Sequence, residues 1–153
     1  MTGDAVSARI LIAEDEVIIR MDLAEMLVAE GYDVIEQVGR GDLAVERTRE
    51  LAPDLCILDV KMPGLDGLAA ARIVVEEDLA AVVILTSFSQ RELIGEAVDV
   101  GVGAYVVKPF QASDLVPAIE VALAGQAQLQ ALAGRADEAE QRLEQRKVID
   151  RAK

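Results

Sequence analysis

Short apolar runs alternate with longer mixed stretches along the first 125 residues of the chain. Short apolar runs are typical of strands buried in a parallel sheet, and the longer stretches are typical of helices that pack on it. The pattern predicts five strands in strict alternation with five helices. The predicted strands span residues 9–13, 32–38, 55–58, 82–85 and 104–107. Right-handed crossovers then favour an α/β fold, a flavodoxin-like doubly wound five-stranded parallel sheet of order 2-1-3-4-5.

Glycine, proline and capping residues limit the predicted helices. The first four span residues 17–27, 42–51, 64–77 and about 89–101, and the fifth contains Pro117 near its start. Ser89 and Glu92 form a capping box for the fourth helix. In the first helix the spacing predicts one apolar face. This face comprises Ile18, Met21, Met26 and Leu27.

Polar residues stand where four of the predicted strands end. They are Glu14, Asp15, Asp59, Thr86 and Lys108. Carboxyl ends of parallel strands share one edge of the sheet, and open α/β sheets bind ligands there. Three carboxylates, one ammonium and one hydroxyl suit a divalent metal ion together with a phosphoryl group. The sequence therefore predicts a metal and anion site at this edge.

Each of these residues also has an ordinary structural interpretation. Acidic runs such as the one from Glu14 to Glu16 are usually solvated loops, and Asp59 could cap a turn or a helix. The functional interpretation makes Asp59 a carboxylate nucleophile that accepts a phosphoryl group as an aspartyl phosphate. The convergence of all five residues favours this functional interpretation.

The net charge of −13 is concentrated in the first part of the chain. Through Gly125 there are 9 Lys+Arg against 23 Asp+Glu, a balance of −14, and from Gln126 there are 6 against 5, a balance of +1. The acidic part repels nucleic-acid phosphates, so it is not expected to bind nucleic acid directly. The change near Gly125 predicts a domain boundary.

Cysteine usage and hydropathy indicate the compartment. The single Cys56 lies in a predicted strand, which is typical of a core residue in a reducing compartment. One Cys and no His exclude a disulfide framework and a zinc site. No apolar run approaches the ~20 residues of a membrane span, and no signal-peptide pattern follows Met1. We therefore expect a cytoplasmic protein without membrane contact.

Four motifs in order resemble those of a two-component response-regulator receiver domain, over about residues 9–125. They are Ile12-Ala-Glu-Asp-Glu16, Leu58-Asp-Val-Lys-Met-Pro-Gly-Leu-Asp-Gly67, Ile84-Leu-Thr-Ser87 and Ala104-Tyr-Val-Val-Lys-Pro-Phe110. The resemblance implies that Asp59 accepts a phosphoryl group from the phosphohistidine of a sensor histidine kinase. It also implies a Mg²⁺ cofactor with four ligands. These are the carboxylates of Glu14, Asp15 and Asp59 and the backbone carbonyl of Lys61.

The same resemblance implies a switch. Lys108 would pair with the phosphoryl oxygens and Thr86 would hydrogen-bond to one of them. Tyr105 would follow Thr86 inward and alter the face formed by the fourth helix, the fifth strand and the fifth helix. Such a protein is a phosphoacceptor signalling domain rather than an enzyme, limited to self-phosphotransfer and slow autodephosphorylation. We also expect bulky Phe88 and cationic Lys61 to hinder the hydrolytic water and lengthen the phosphorylated lifetime.

Two enzyme alternatives compete with this interpretation. Gly39-Arg-Gly-Asp-Leu-Ala44 matches the G-x-G-x-x-A fingerprint of dinucleotide-binding proteins. That function leaves Glu14, Asp15 and Lys108 without a role, and a tight strand-to-helix connection explains both glycines. A phosphohydrolase with Asp59 as nucleophile is the other alternative, and it would turn over many phosphate esters.

The last 28 residues have a different pattern. Apolar residues recur at heptad spacing at Leu129, Leu132, Ala136, Ala139 and Leu143. Both a charged linker helix that continues the fifth helix and a dimerising coiled coil fit this spacing. We expect residues 1–8 to be disordered, 9–125 to form the receiver domain, and 126–153 to lead as a helical linker or coiled coil into a missing output domain. A homodimer would form through this C-terminal helix or through the face of the fourth helix, fifth strand and fifth helix.

Residues 142–153, Arg-Leu-Glu-Gln-Arg-Lys-Val-Ile-Asp-Arg-Ala-Lys, resemble the opening of the RNA-binding antiterminator module called ANTAR. The resemblance implies that phosphorylation controls dimerisation and hence binding to paired RNA hairpins that release transcription termination. RNA would be contacted only by the missing module. The alternative is a stand-alone receiver that acts through protein contacts.

Overall fold

The structure, a computed structural model, describes residues 7–87 and 93–144, without the side chains of 93–94 and 129–144. Within these residues five strands form one parallel sheet in the order β2-β1-β3-β4-β5. The strands are β1 (Arg9–Ala13), β2 (Asp33–Val38), β3 (Leu55–Asp59), β4 (Ala81–Thr86) and β5 (Ala104–Val107). The order confirms the predicted flavodoxin-like doubly wound fold.

One helix follows each strand in the described part of the chain. The helices are α1 (Val17–Ala29), α2 (Gly41–Leu51), α3 (Gly67–Glu76), α4 (Leu93–Val100) and α5 (Ala112–Glu144). The strict alternation predicted from the apolar pattern is therefore confirmed. No helix among the described residues is both long and apolar enough to cross a bilayer.

The core has two halves, because successive side chains of a strand point to opposite faces of the sheet. Leu11 of β1 and Cys56 of β3 pack with α2, α3 and α4 on one face. Ile10 of β1 and Ile57 of β3 pack with α1 and α5 on the other. All five residues of β3 are buried, as expected for the central strand. Burial on both faces explains why β3 is a continuous apolar run rather than an alternating one.

Helix α1 buries a different face from the predicted one. Its buried residues are Leu23, Ala24 and Leu27. Ile18 is 75% exposed and Met21 is 54% exposed, so the prediction that both belong to the core-facing side with Leu27 is wrong. Apolar residues surround most of this helix, and the 3.6-residue period alone therefore does not identify the buried face.

Helix α3 begins three residues later than predicted. Residues 64–66 belong to the loop after β3, and Asp66 is the N-cap, with its side chain accepting a hydrogen bond from the Ala69 N–H at 2.8 Å. An Asp at this position satisfies one of the free N–H groups of the first turn.

Cys56 is buried, as predicted. Its Sγ lies 3.2 Å from Oγ1 of Thr48, and this hydroxyl is 2.6 Å from the Ala44 carbonyl oxygen to which it donates. Burial raises the pKa of the Cys56 thiol to about 11, although the contact with Thr48 lowers it. The residue is a protonated part of the core.

Helix α5 continues without interruption past Gly125 to Glu144. A long helix that extends the fifth helix was one of the two predicted arrangements of the C-terminal part. The heptad side chains from Leu129 onward lie outside the described side chains, as do residues 1–6, Phe88, the proposed capping box at Ser89 and Glu92, and residues 145–153. The predictions made for them stay predictions.

Candidate metal and anion site

The sheet order places the candidate residues at one crevice. Helix α1 leaves β1 on one face of the sheet and α3 leaves β3 on the other, so the carboxyl ends of these neighbouring strands form the point at which ligands bind in such sheets. Ala13 pairs with Leu58, and this register brings Glu14 beside Asp59. Asp59 in turn pairs with Leu85, which precedes Thr86. The register alone therefore explains why these side chains meet.

Three carboxylates converge at this point. Oxygen atoms of Glu14, Asp15 and Asp59 all lie within 4.8 Å of one another. Glu14 is 0% exposed and Asp59 is 5% exposed, whereas Asp15 faces solvent. Three like charges this close repel one another, and the repulsion favours a bound cation.

Lys108 supplies a positive charge from the other side of β4. Its Nζ atom lies 2.7 Å from Oδ1 of Asp59 and 2.9 Å from Oε1 of Glu14. The loop after β5 that carries Lys108 is tied to β4, because the Lys108 N–H donates to the Thr86 carbonyl oxygen at 2.6 Å. One ammonium thus faces two buried carboxylates.

Burial dominates the protonation behaviour of the site. Burial raises the pKa of Asp59, against the opposing effect of the hydrogen bond from Lys108, and the neighbouring Asp15 raises it further. Burial likewise raises the pKa of Glu14, again opposed by Lys108. For Lys108 burial acts in the lowering direction, but hydrogen bonds to Asp59 and Glu14 outweigh it and raise the pKa of the ammonium. The two buried carboxylates are incompletely compensated by one lysine.

The donor set fits a hard divalent cation. Mg²⁺ prefers carboxylate oxygens and keeps several waters, which the exposed side of Asp15 allows. The buried Oε1 atom of Glu14 has the Lys108 ammonium at 2.9 Å, and a carboxylate oxygen has lone pairs for a further partner such as a cation. The Lys61 backbone N–H acts to lower the pKa of Asp59, so the Lys61 peptide lies beside this carboxylate.

The comparison with known families decides the class of protein. The family model of the response regulator receiver domain matches residues 10–120. The chain belongs to this family. It is the receiver domain of a two-component response regulator.

Two curated relatives and a solved structure extend this finding. The chain is 51% identical over 149 residues to the transcriptional regulatory protein PdtaR of Mycobacterium tuberculosis, covering 97% of this chain and 73% of that protein. The chain is 35% identical over 116 residues to the chemotaxis protein CheY of Bacillus subtilis, covering 75% of this chain and 97% of CheY. The signal receiver domain of a modulated diguanylate cyclase from Desulfovibrio desulfuricans G20 is similar with a TM-score of 0.74 at 28% identity, covering 80% of this chain and 98% of that chain.

The two predicted switch residues occupy different environments in the receiver domain. Thr86 is buried at the end of β4, where its Oγ1 lies 3.5 Å from the Ser87 carbonyl oxygen. Tyr105 lies on the neighbouring β5 and its side chain is 44% exposed. The structure therefore shows Thr86 at the site and Tyr105 with an outward side chain.

Sequence reasoning missed Arg20. This residue lies in the first turns of α1, and its Nη1 atom donates to the Glu14 carbonyl oxygen at 2.8 Å. A cation one turn after an acidic run is the only sequence feature that indicates such a contact. The contact fixes the backbone from which Glu14 and Asp15 project.

Proposed function

We propose that Asp59 of this receiver domain accepts a phosphoryl group from the phosphohistidine of a sensor histidine kinase. The observation that supports this proposal is a buried Asp59 carboxylate with the Lys108 ammonium at 2.7 Å and two further carboxylates within 4.8 Å. In this proposal Glu14, Asp15, Asp59 and the backbone carbonyl of Lys61 hold Mg²⁺. The protein then acts as a phosphoacceptor that is loaded once, not as an enzyme that turns over a substrate.

The chemistry requires little more than positioning and charge. A bond forms between a carboxylate oxygen of Asp59 and phosphorus as the phosphorus–nitrogen bond of the donor breaks. The Lys108 hydrogen bond favours the ionised Asp59 that this attack requires. When bound, Mg²⁺ supplies positive charge that neutralises the phosphoryl oxygens. Lys108 lies within reach of the same oxygens, because it already contacts the accepting carboxylate.

The proposed response to phosphorylation starts at Lys108 and Thr86. The phosphoryl group carries a charge of about −1.5 to −2 and three acceptor oxygens, and it replaces the single negative charge of the carboxylate, so the net charge changes by about −0.5 to −1. Lys108 exchanges its contact with the free carboxylate for one with the phosphoryl group, and the Thr86 hydroxyl donates to a phosphoryl oxygen. Tyr105 then moves from its exposed position toward the space beside Thr86, which alters the face formed by α4, β5 and α5.

The test is covalent loading by acetyl phosphate in the presence of Mg²⁺, followed by intact-protein mass spectrometry. One phosphoryl group is expected per chain, and Asp59→Asn is expected to abolish the adduct while the circular dichroism spectrum is kept. A phosphoryl adduct that persists in the Asn variant contradicts the proposal. Repeated release of phosphate from many phosphate esters supports the phosphohydrolase alternative instead.

We further propose that the loaded receiver controls an RNA-binding antitermination output. Two observations support this output. The 51% identity to a protein named transcriptional regulatory protein PdtaR extends over 149 residues, and residues 142–153 resemble the start of an ANTAR module. In this proposal the module that follows residue 153 in the full regulator contacts paired RNA hairpins.

The competing output is a receiver that acts through protein contacts. The two are distinguished with the full gene product, by measuring the binding of paired RNA hairpins before and after phosphorylation of Asp59. Tighter binding after phosphorylation supports antitermination. Equal and weak binding in both states contradicts it and favours the stand-alone receiver.

A further inference from the structure

The glycine-rich loop between β2 and α2 has no part in the chemistry proposed above. We call residues 38–41 the support loop. Two other loops carry the proposed metal ligands. One follows β1 and carries Glu14 and Asp15, and the other follows β3 and carries Lys61. The support loop contacts both of them.

Its first contact is with the loop after β1. The Glu14 N–H donates to the Val38 carbonyl oxygen at 3.0 Å. The Arg20 side chain passes over the bare Cα of Gly39 on its way to the Glu14 carbonyl oxygen, because a Cβ atom at position 39 would lie only 2.8 Å from Arg20 Nη1. A side chain at position 39 therefore has to displace the guanidinium group that holds the Glu14 backbone.

Its second contact is with the loop after β3. The Gly41 N–H donates to the Pro63 carbonyl oxygen at 3.2 Å. A Cβ atom at position 41 would overlap the Leu65 carbonyl oxygen and would lie 2.6 Å from the carbonyl carbon of the same residue. These are backbone atoms, so the obstacle cannot be removed by a rotamer change. Any side chain at position 41 has to push the loop after β3 away from α2.

We propose that Gly39 and Gly41 are positioning residues that set the separation of the two ligand loops and thereby the affinity for the divalent cation. The inference rests on the proposed metal site. Mg²⁺ requires near-ideal octahedral geometry with oxygens at about 2.0–2.1 Å, so it is sensitive to small displacements of its ligands. Gly39 and Gly41, which match a dinucleotide-binding fingerprint, are thus explained by contacts that a side chain at either position would obstruct. Arg20 passes over Gly39, and the loop after β3 packs against Gly41.

The test uses the full chain and Mg²⁺ as the probe, with isothermal titration calorimetry because the chain contains no tryptophan. Gly41→Ala is expected to weaken Mg²⁺ binding at least tenfold, and Gly39→Ala by about threefold to tenfold. Loading by acetyl phosphate is expected to require correspondingly more Mg²⁺ and to recover at saturating Mg²⁺. A higher Mg²⁺ concentration for half-maximal loading, with an unchanged maximal rate of loading, identifies a positioning role.

A matched control separates positioning from general destabilisation. Gly103→Ala creates a steric conflict of about the size of that at position 39, because its Cβ atom would lie 2.6 Å from the Ala122 Cβ. Gly103 precedes β5 and lies at the opposite end of the strands from the site. The Gly103→Ala variant is expected to have a lower midpoint of thermal unfolding without metal than wild type, while its Mg²⁺ affinity stays within twofold of wild type.

A double-mutant cycle tests the route through Arg20 without depending on the Gly41 variant. Arg20→Ala is expected to weaken Mg²⁺ binding by itself, because the Glu14 carbonyl oxygen loses the hydrogen bond from the guanidinium group. In the Arg20→Ala background the side chain at position 39 meets no guanidinium group. Gly39→Ala should then have no further effect, so the two changes are non-additive.

The outcomes distinguish this inference from the proposed function. If wild type neither binds Mg²⁺ nor accepts a phosphoryl group, the proposed function fails and the inference fails with it. If wild type does both, and Gly39→Ala and Gly41→Ala change Mg²⁺ affinity no more than Gly103→Ala does, only the inference is overturned. Additive effects in the cycle overturn the route through Arg20.

Discussion

Lys108 faces two carboxylates that burial disfavours in their charged form. Removing one member of a buried charge cluster is usually costly, because the remaining charges stay buried without compensation. In this cluster one ammonium already faces two buried carboxylates. Burial raises the pKa of both Asp59 and Glu14 in spite of the lysine. The site therefore contributes less to stability than apolar side chains of similar volume would. It is suited instead to bind a cation and a charged group.

Lys108→Met tests this imbalance directly. The methionine keeps much of the aliphatic volume and removes the ammonium at 2.7 Å from Asp59. We expect the midpoint of thermal unfolding in EDTA to fall, because two buried carboxylates then face each other without a counter-charge. We expect added Mg²⁺ to raise the midpoint by more than it does in wild type, because the cation takes over the neutralisation.

The matched control is Lys61→Met, which removes an exposed ammonium from the neighbouring loop. Thermal unfolding with EDTA and with a series of Mg²⁺ concentrations measures both effects. A Lys108→Met variant that is as stable as Lys61→Met in EDTA contradicts the argument.

Side chains at strand ends were predictable from the sequence, and side chains that act by packing were not. Asp59 and Lys108 each follow an apolar run, so their arrival at one edge follows from strand order alone. Gly39 and Arg20 act through the close approach of loops that are distant in sequence. The local sequence pattern does not show which distant loops approach each other. Gly39 even matched the fingerprint of dinucleotide-binding proteins.

Among helices and strands, the continuous apolar runs identified the strands because a central parallel strand is buried on both faces. The same reasoning failed for α1, whose apolar residues are not confined to one side. Ile18 and Met21 are exposed on α1. The same helix lines, through Ile19 and Met26, a cleft of about 670 Å³ that Lys108 also lines. An exposed apolar surface beside the proposed phosphoacceptor is a suitable docking place for the kinase that must reach it.

We therefore expect Ile18→Glu to slow phosphotransfer from a kinase that phosphorylates the wild-type protein by about tenfold, the effect of losing an apolar contact of about 1.4 kcal/mol. Loading by acetyl phosphate should be unchanged, because the small donor needs no docking surface. Val121→Glu, a charge introduced at an exposed apolar position of α5, is the control. Equal slowing with both phosphodonors would place the defect in the site rather than in docking.

The contact between Tyr32, which precedes β2, and α5 predicts a pH effect. The Tyr32 hydroxyl donates to Oε2 of Glu120 at 2.9 Å. Burial first, and then Glu120, raise the pKa of Tyr32 from 10.0 to about 12. Between these values the unfolded chain loses the proton while the folded protein keeps it, so the contribution of this group to stability is complete below about pH 10 and is lost as the pH rises toward 12.

Tyr32→Phe should remove this part of the alkaline loss. The free energy of unfolding, measured by urea titration from pH 8 to about 12, is expected to fall less steeply in Tyr32→Phe than in wild type. Tyr105→Phe controls for the loss of a tyrosine hydroxyl. Parallel curves for Tyr32→Phe and wild type would show that the hydrogen bond to Glu120 is not maintained in solution.

The chain as a whole combines an acidic α/β body with a long last helix, α5, which extends to Glu144. Among the described side chains of α5, the buried ones are Leu115, Ile119 and Ala122, all in the part that covers the sheet. Beyond them Gln126 still contacts Asp78 at 3.2 Å. The described contacts of α5 with the body therefore end near residue 126.

A chain that ends at residue 128 should consequently keep the fold. We expect its midpoint of thermal unfolding to lie within about 2 °C of the full chain, a difference below 1 kcal/mol, and its loading by acetyl phosphate to be unchanged. A midpoint that falls by much more, or that depends on protein concentration only in the full chain, would indicate that residues 129–153 add stability. Light scattering of both lengths, with and without phosphorylation, assigns any dimer to the C-terminal helix or to the face of α4, β5 and α5.

The buried thiol of Cys56 has a consequence for spectroscopy. Alkylating dyes react with thiolates, and a shielded thiol with a pKa of about 11 presents almost none near neutral pH. The native chain has only this one cysteine, so we expect it to react very little with such dyes. A single cysteine introduced at exposed Val98 can carry a fluorophore on α4, so that rearrangement of this face can be followed in real time without disturbing the packing between Thr48 and β3.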